Sequence, residues 1–273
     1  MAEINSETVM IDKTSHPGIT ILSINRPERR NAVDLATAKH LYEAILNFES
    51  DTTQKVCILT GNGGNFCSGA DLHQVAQKQN EPAENLQPVN ERNLGPMGPS
   101  RLIVQKPMIC AVAGYAVAGG LELSLLADLR IIEEDAIFGV FCRRWGVPLI
   151  DGGTVRLQAI VGLGRAMDMI LTGRPVNANE ALTMGLANRV VPKGESLNCA
   201  LELARQLMTF PDLCLNTDRQ SCYYSAYEAR SFKDALSQEF TAGKKVISAE
   251  AIQGAAKFSG GSGRHGSFKA SKL

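Results

Sequence analysis

The most informative segment of the chain reads Ala118-Gly119-Gly120-Leu121-Glu122-Leu123-Ser124-Leu125-Leu126-Ala127-Asp128. Two glycines open a predicted helix, and the leucines that follow indicate that this helix is buried on all sides. The carboxylate of Glu122 therefore lies among apolar neighbours, where an acid is costly unless it is hydrogen-bonded or used in chemistry. The glycines leave backbone N–H groups accessible at the positive end of the helix, where an anion can approach. The segment thus predicts an oxyanion-binding turn beside an acid that can move a proton.

The composition narrows the classes of partner. The 273 residues carry 28 Lys and Arg and 28 Asp and Glu, so no net charge attracts the chain to nucleic acid or to an anionic membrane. Aromatic residues make up only 5% of the chain, which argues against a surface on which bases stack. No apolar run approaches the length that spans a bilayer. We therefore expect neither a nucleic-acid partner nor a membrane span.

The cysteines and histidines do not form a metal-binding pattern. Seven cysteines are scattered without a C-x-x-C pair, and four histidines show no metal-ligand spacing. The odd number of cysteines and their apolar settings favour reduced thiols over a disulfide framework. We expect no metal site.

The last three residues carry a targeting signal. Ser271-Lys272-Leu273 matches the tripeptide S-K-L, which is a peroxisomal address when it stands at a C-terminus. The preceding Gly- and Ser-rich stretch is flexible enough to present it to an import receptor. The expected location is the peroxisome, with that receptor as a partner.

The order of predicted elements indicates an α/β fold followed by a helical region. Short apolar strands alternate with amphipathic helices up to about residue 192, and helical periods dominate after that point. We expect a core over residues 1–192, a helical region over 193–258 and a flexible tail over 259–273. The segment Glu81–Ser100 contains four prolines and is a candidate mobile lid.

Two loops place small residues between a strand and a helix. One reads Asn65-Phe66-Cys67-Ser68-Gly69-Ala70-Asp71-Leu72, and the other runs from Ala113 to Leu123. If the loops pair in space, Ala70 and Gly119 supply two backbone N–H donors to one carbonyl oxygen. Such a donor pair stabilises the enolate of a thioester.

Together with three further motifs, these loops resemble the crotonase (enoyl-CoA hydratase/isomerase) superfamily over nearly the whole chain. The further motifs are Ser23-Ile24-Asn25-Arg26-Pro27-Glu28-Arg29-Arg30-Asn31-Ala32, Gly152-Gly153-Thr154-Val155-Arg156-Leu157, and Leu171-Thr172-Gly173 with Ala181-Leu182-Thr183-Met184-Gly185-Leu186-Ala187. The resemblance implies a ββα superhelix and C-terminal helices that build a homotrimer or a dimer of trimers. It also implies an acyl-CoA thioester substrate and no cofactor beyond the coenzyme A of that substrate.

The resemblance also implies a path for coenzyme A past residues 26–32 and 68–70. Arg29 or Arg30 would meet the CoA phosphates, although a solvated charged turn is an equal alternative for either arginine alone. The other candidate substrate-binding residues are Ser68, Ala70, Asp71, Leu72 and Gly120.

Glu122 falls where hydratases of this superfamily carry one of two catalytic glutamates. The alternative is a structural acid near a helix N-terminus, stabilised by about 0.3–1 kcal/mol. The second glutamate should lie between Phe138 and Gly146, where the register instead puts Cys142 and no carboxylate is present. Cys142 is expected to be a small buried hydrophobic residue and not a nucleophile.

Asp151 is the second candidate catalytic acid. It resembles in position an aspartate of the dienoyl-CoA isomerase and 4-chlorobenzoyl-CoA dehalogenase branches. The alternative is a helix N-cap worth about 1 kcal/mol, and the two roles are compatible. A dehalogenase-like nucleophile would need an aromatic pocket, to which these residues could contribute: Phe66, Phe138, Phe141 and Trp145.

The sequence therefore predicts an enzyme of the enoyl-CoA hydratase/isomerase type. It would act on a 2-enoyl-CoA in fatty-acid β-oxidation through an oxyanion-stabilised enolate, with Glu122 and Asp151 as catalytic acids. Isomerisation of a Δ3,5-Δ2,4-dienoyl-CoA or a Δ3-Δ2-enoyl-CoA is the main alternative, because the second glutamate is missing. A non-catalytic CoA- or RNA-binding homologue is a further alternative.

Overall fold

The main sheet of the protein has six strands, of which all but the first pair are parallel. The computed structural model describes residues 7–77 and 87–261. The strand order is β1-β2-β3-β4-β6-β9, with β1 antiparallel to β2. The strands are β1 Val9–Asp12, β2 Ile19–Ile24, β3 Val56–Gly61, β4 Met108–Val112, β6 Leu129–Glu133 and β9 Arg189–Val191. The predicted α/β fold is confirmed.

The central strands are apolar runs because both of their faces are covered. All five residues of β4 are buried, and its register pairs Cys57 with Met108 on one side and Ile109 with Leu129 on the other. Continuous apolar runs of this kind are typical of parallel strands. Helix α1, Leu35–Ser50, packs with its apolar side inward, and the Asp34 side chain caps it by accepting a hydrogen bond from the backbone N–H of Thr37.

A second, smaller sheet contains strands that the sequence pattern did not reveal. It consists of β5 Tyr115–Val117, β7 Ile137–Gly139 and β8 Val176–Asn177, in the order β5-β7-β8. Only β7 corresponds to an apolar run of the sequence, residues 136–140; β5 falls inside the glycine-containing segment 113–123, which the sequence indicates as a loop, and β8 has only two residues. An isolated bridge between Cys67 and Ala116 joins the loop after β3 to β5. This bridge brings the two glycine-containing loops of the sequence together.

The remaining helices of this region follow the predicted pattern. Helix α4, Gly153–Val161, is bounded by Gly152 and Gly162, whose positive φ angles of 91° and 82° interrupt the helical backbone on either side. Short 3₁₀ turns occur at Pro99–Arg101 and Phe141–Trp145. The helices are α2 Leu72–Gln77, α3 Gly119–Ser124, α4 Gly153–Val161, α5 Leu163–Thr172, α6 Ala178–Thr183 and α7 Ser196–Leu207.

The chain divides into two compact units after Ala204, twelve residues beyond the predicted end of the core at 192. The difference arises at α7, which buries six side chains between Ser196 and Ala204 and belongs with the first unit up to that residue. The second unit contains α8 Asp212–Tyr227, α9 Phe232–Val246, a π-helical turn at Ile247–Ala251 and α10 Ile252–Ser259. Among the described residues, no helix is long and apolar enough to cross a membrane.

Two predicted segments are described only in part. Residues 81–86 of the candidate lid and the tail from residue 262, including Ser271, Lys272 and Leu273, lie outside the described residues. The end of the candidate lid is not a lid, because Met97 and Ser100 are each only 1% exposed. This part of the segment is built into the core.

Candidate active site

One cavity of about 720 Å³ contains both candidate acids. Its wall is predominantly apolar, and it lies entirely within the first unit, between residues 30 and 151. The lining includes two backbone turns, at Ala70 and at Gly119, and the carboxyl groups of Glu122 and Asp151. A concave apolar site with a few convergent polar groups is typical of a small-molecule site.

The two candidate oxyanion donors lie on touching segments. Cys67 donates a backbone hydrogen bond to Tyr115 and accepts one from Val117, which ties the first loop to β5. Gly69 has φ +101°, and a Cβ placed on it would lie 3.0 Å from the backbone nitrogen of Gly119. The first loop therefore passes directly against the N-terminus of α3, a close approach that only a glycine permits.

The backbone N–H groups of Ala70 and Gly119 are available to a ligand. Within the described chain, neither N–H donates a hydrogen bond, and both residues line the cavity. Ala118, just before α3, has φ 54° and ψ −124°, a strained conformation for a non-glycine residue. The geometry supports two donors at one wall of the cavity, as the sequence predicted.

Glu122 is buried and bridges two helices. Its Oε1 accepts hydrogen bonds from the backbone N–H groups of Asp151, at 2.9 Å, and Gly153, at 2.8 Å. Gly153 is required at its position, because a Cβ there would lie 2.8 Å from both Cγ and Oε1 of Glu122. The carboxylate on α3 is thus fixed to the N-terminus of α4.

Burial, and after it the negative charge of Asp151, together raise the pKa of Glu122 from its ordinary 4.5 to about 7. The two backbone N–H groups and the guanidinium of Arg156 oppose this rise. Glu122 therefore exchanges a proton near neutral pH, which is the range that suits a general acid or base.

Asp151 faces the same cavity as Glu122 and is 4% exposed. Its Oδ1 accepts hydrogen bonds from the backbone N–H of Met97, at 2.9 Å, and from the hydroxyl of Ser100. Burial raises the pKa of Asp151, while these hydrogen bonds and the charges of Arg101 and Arg156 oppose the rise.

The predicted capping role of Asp151 is wrong. Helix α4 has Gly152 at its N-cap, and the Asp151 side chain turns away toward Met97 and Ser100. Glu122 accepts the first N–H of this helix instead, so the structural role at the N-terminus of α4 that the sequence suggested for Asp151 falls to Glu122. Local spacing could not reveal this, because Glu122 lies 31 residues before Gly153.

The second oxygens of both acids remain open. In the described ranges, Oε2 of Glu122 and Oδ2 of Asp151 make no hydrogen bond, and neither is among the buried atoms that lack a partner. Since both side chains line the cavity, these oxygens can reach a ligand there.

Cys142 lies in the cavity wall, where the sequence register expected a second glutamate. It is 8% exposed, and burial raises the pKa of its thiol, as does the charge of Glu122. A thiol in this state is a poor nucleophile. Of the aromatic residues considered for a ring pocket, Phe141 and Trp145 line the cavity, whereas Phe66 and Phe138 are fully buried in the core.

The candidate CoA-binding residues separate into two groups. Arg30, Ser68 and Leu72 line the cavity together with Ala70, and the Arg30 guanidinium lies 5.5 Å from the centre of the Tyr115 ring. The remaining three candidates, Arg29, Asp71 and Gly120, are not among the lining residues in the described part of the chain.

The structure gives Asp71 and Gly120 other contacts. Asp71 forms an ion pair with Arg26 at 3.0 Å, and Arg26 also pairs with Asp34 at 3.1 Å. Gly120 packs against β-bridge residue Cys67, because a Cβ on the glycine would lie 2.0 Å from the carbonyl oxygen of Cys67. Both residues therefore hold the loops in place behind the cavity. Arg29 is exposed at the end of a 3₁₀ turn.

Sequence reasoning missed three residues that contact the acids: Met97, Ser100 and Arg156. The proline-rich segment before residue 101 suggested a surface loop, and no local signal indicated that its end contacts Asp151. Residues 7–77 and 87–261 contain no group of three or more His, Cys, Asp or Glu residues that could hold a metal ion.

Comparison with known proteins identifies the family. The profile of the family described as enoyl-CoA hydratase/isomerase matches residues 14–261. The chain belongs to this family. The enzyme is 36% identical over 212 residues to an enoyl-CoA hydratase of Mycobacterium tuberculosis, covering 75% of this chain and 76% of that protein. It is 31% identical over 235 residues to a short-chain-enoyl-CoA hydratase of Clostridium acetobutylicum, covering 81% and 87%.

Solved structures agree with this family assignment. A crystal structure of an enoyl-CoA hydratase from Mycobacterium tuberculosis superimposes with a TM-score of 0.83 at 32% identity, covering 93% of this chain and 96% of the other. The crotonase fold expected from the sequence is therefore confirmed, and the protein is an acyl-CoA enzyme of the hydratase or isomerase type.

Proposed function

We propose that the enzyme adds water to a 2-enoyl-CoA thioester in fatty-acid β-oxidation by way of a stabilised enolate. One observation carries the proposal: two unbonded backbone N–H groups, those of Ala70 and Gly119, line the same cavity as the carboxyl groups of Glu122 and Asp151. The first pair would bind a thioester oxygen, and the second would move protons at the adjacent carbons.

In this reaction the two N–H groups hold the negative charge that develops on the thioester oxygen. Loss of one such donor costs roughly 3–4 kcal/mol in the transition state. The water oxygen forms a bond to C3, and the electrons of the C2–C3 double bond move toward the thioester to form the enolate. Asp151 takes a proton from the water, and Glu122 delivers a proton to C2. Return of the proton from Asp151 to Glu122 restores both acids, so the net change is addition of one water molecule.

The environments of the two acids support this division of roles. Glu122 has a pKa raised to about 7, so it carries a proton for a substantial part of the time at neutral pH. Burial raises the pKa of Asp151 as well, but its hydrogen bonds from Ser100 and Met97 oppose this rise and favour the ionised form. Adjacent acids with different surroundings commonly divide into an acid and a base.

Isomerisation of a double bond is the second candidate reaction. It is favoured by Cys142, because the wall that should contribute a second glutamate offers only a thiol of raised pKa. In a Δ3-Δ2-enoyl-CoA or a Δ3,5-Δ2,4-dienoyl-CoA, a base removes a proton from one carbon and an acid returns a proton to another. Glu122 and Asp151 suffice for this step, and no water is consumed.

Purified enzyme with defined thioesters distinguishes these reactions. Crotonyl-CoA should lose its conjugated-thioester absorbance as water adds to the double bond. If crotonyl-CoA is stable but a 3,5-dienoyl-CoA is converted, isomerisation replaces hydration. Glu122→Gln and Asp151→Asn should each lower turnover at least about a hundredfold with unchanged circular dichroism, whereas Glu43→Gln, an exposed α1 variant, is the control.

We propose that the CoA moiety binds past Arg30, Ser68 and Leu72 and that no separate cofactor is needed. These residues line the open side of the cavity, and Arg30 offers a cation to a phosphate. Arg30→Ala should raise KM for an acyl-CoA more than it changes kcat. If the matched Arg29→Ala variant keeps the KM of the wild-type enzyme, this result supports Arg30 as the phosphate-binding arginine.

We propose that the enzyme forms a homotrimer or a dimer of trimers through its C-terminal helices. Large apolar side chains on α9 and α10 support this, since Phe232 is 80%, Phe240 70% and Ile252 64% exposed. Light scattering coupled to gel filtration should give three or six times the 29.4 kDa chain mass. A monomeric mass would contradict the proposal.

We propose that the peroxisomal import receptor recognises Ser271-Lys272-Leu273. A fluorescent protein carrying residues 259–273 at its C-terminus should accumulate in peroxisomes, and removal of the last three residues should leave it diffuse. Diffuse fluorescence of the complete fusion would contradict a peroxisomal location.

A further inference from the structure

The side chain of Ser100 is enclosed around its contact with Asp151. Ser100 is 1% exposed, and a Cβ on neighbouring Gly95 would lie 2.2 Å from its Oγ. The hydroxyl donates to Oδ1 of Asp151, the same oxygen that accepts the N–H of Met97. One oxygen of the acid is therefore fixed by two donors, and its other oxygen is left for the cavity.

Arg156 supports this arrangement from the first turns of α4. One of its terminal nitrogens donates to the carbonyl oxygen of Ser100, at 2.7 Å, and to that of Asp151 itself, at 3.3 Å. The other terminal nitrogen donates to the carbonyl oxygen of Leu102 at 3.0 Å. A single guanidinium thus joins the donor residue and the acid, and its planar fork suits such multiple bonding.

We propose that Ser100 and Arg156 are positioning residues that hold Asp151 as the base of the reaction, with Oδ1 anchored and Oδ2 directed to substrate. The role of Asp151 as a base rests on the proposed function, whereas its positioning by Ser100 and Arg156 rests on the contacts described above. The proton passes to Oδ2 of Asp151, and neither Ser100 nor Arg156 gains or loses a proton or a bond.

The charged and titratable groups around Asp151 determine the direction in which its pKa should move in the variants. Arg101 on the 3₁₀ turn and Arg156 on α4 favour the ionised acid, whereas Glu122 on α3 lies beside it as a second acid, with Cys142 facing Glu122. Removing the Ser100 hydroxyl or the Arg156 charge removes stabilisation of the carboxylate. The pKa of Asp151 then rises, and the acidic limb of the pH profile moves to higher pH.

The kinetic test uses Ser100→Ala, Arg156→Gln and Arg156→Lys, with Arg165→Gln as the matched control. Arg165 is an exposed arginine on α5 that donates only to the carbonyl oxygen of Met184 and does not line the cavity in the described ranges. In Ser100→Ala and Arg156→Gln, the acidic limb of kcat/KM should move up by about one pH unit, which is about tenfold in rate on that limb. Arg156→Lys should recover part of the shift, and the control should have none.

A merely structural role would have a different signature. Loss of activity by the same factor at every pH, with the limb unmoved in Ser100→Ala, would overturn the proposal. Ser100→Ala keeps the test decisive if Arg156→Gln does not fold.

A second readout does not depend on turnover. Infrared difference spectra recorded during a pH titration follow the carbonyl stretch of the protonated Asp151 carboxyl, assigned by its disappearance in Asp151→Asn. Its midpoint should rise in Ser100→Ala by the amount seen in the kinetic profile. An unchanged midpoint refutes the positioning role, whereas absence of turnover in wild type with a shifted midpoint refutes only the proposed reaction.

Discussion

Replacing Glu122 by Gln should change how the stability of the protein depends on pH. Gln keeps an oxygen that can accept from the N–H groups of Asp151 and Gly153, so the link between α3 and α4 is retained. It removes the acid, whose pKa is raised from its ordinary 4.5 to about 7 by burial and by the charge of Asp151.

The sign follows from proton binding. Because the folded state holds the proton of Glu122 more tightly than the unfolded state, the contribution of Glu122 to stability is greatest below about pH 4.5. It falls as pH rises, and the loss is complete above about pH 7. The difference between the two pKa values corresponds to about 3 kcal/mol. Of this, about 2–3 kcal/mol should be lost between pH 5 and pH 8. The variant carries no titrating group here, so its advantage over wild type should grow by that amount across this range.

Urea unfolding at fixed protein concentration, followed by circular dichroism at pH 5 and pH 8, measures this difference. Glu43→Gln, exposed on α1, controls for the loss of one negative charge. If the free energy of unfolding of Glu122→Gln relative to wild type is the same at both pH values, Glu122 does not carry the raised pKa. The division of roles between the two acids would then fail as well.

Three further substitutions test the contacts behind the cavity. Gly120→Ala should cost about 3 kcal/mol in urea unfolding, because its Cβ would lie 2.0 Å from the Cys67 carbonyl oxygen. A Cβ at Gly164 on α5 would meet open space, so the matched Gly164→Ala variant should be more stable than wild type by about 0.5–1 kcal/mol. A similar loss of stability in Gly120→Ala and Gly164→Ala would refute this reasoning. Gly69→Ala should lower kcat more than about tenfold with a smaller change in KM, because its Cβ would press on the N–H-bearing turn; unchanged kcat would contradict a role for that turn. Asp71→Asn should destabilise the protein by about 1–3 kcal/mol, since its partner Arg26 is largely buried. A free energy of unfolding equal to that of wild type at both low and high salt would contradict this.

The sequence was sufficient for the elements whose residues interact locally or repeat along the chain. Strand β4 and helix α4 belong to the alternating pattern of strands and helices that the sequence displays. The loops that contain Ala70 and Gly119 are recognisable in the sequence, and the structure places Gly69 of the first loop against the backbone nitrogen of Gly119. Strands β5 and β8 were not predicted, because β5 lies in a segment that the sequence indicates as a loop and β8 has only two residues.

The hydrogen-bond partners of the acids depend on tertiary contacts that no spacing encodes. Asp151 lies 54 residues from Met97, and Glu122 lies 31 residues from Gly153. Asp before Gly-Gly-Thr has the pattern of a cap, yet the carboxylate turns away because Ser100 and Met97 offer donors on the other side. The proline-rich composition near residue 96 indicated mobility where the chain is buried.

The way in which Met97 serves Asp151 bears on how the enzyme can diversify. The backbone N–H of Met97 anchors the acid, while its side chain lines the cavity and packs on Gly119. Since every residue except proline has a backbone N–H, residue 97 can be substituted without loss of the hydrogen bond to Asp151. Under the proposed function, substitution at position 97 is therefore a way to reshape the cavity wall and change the substrate while the hydrogen bond that anchors Asp151 is kept.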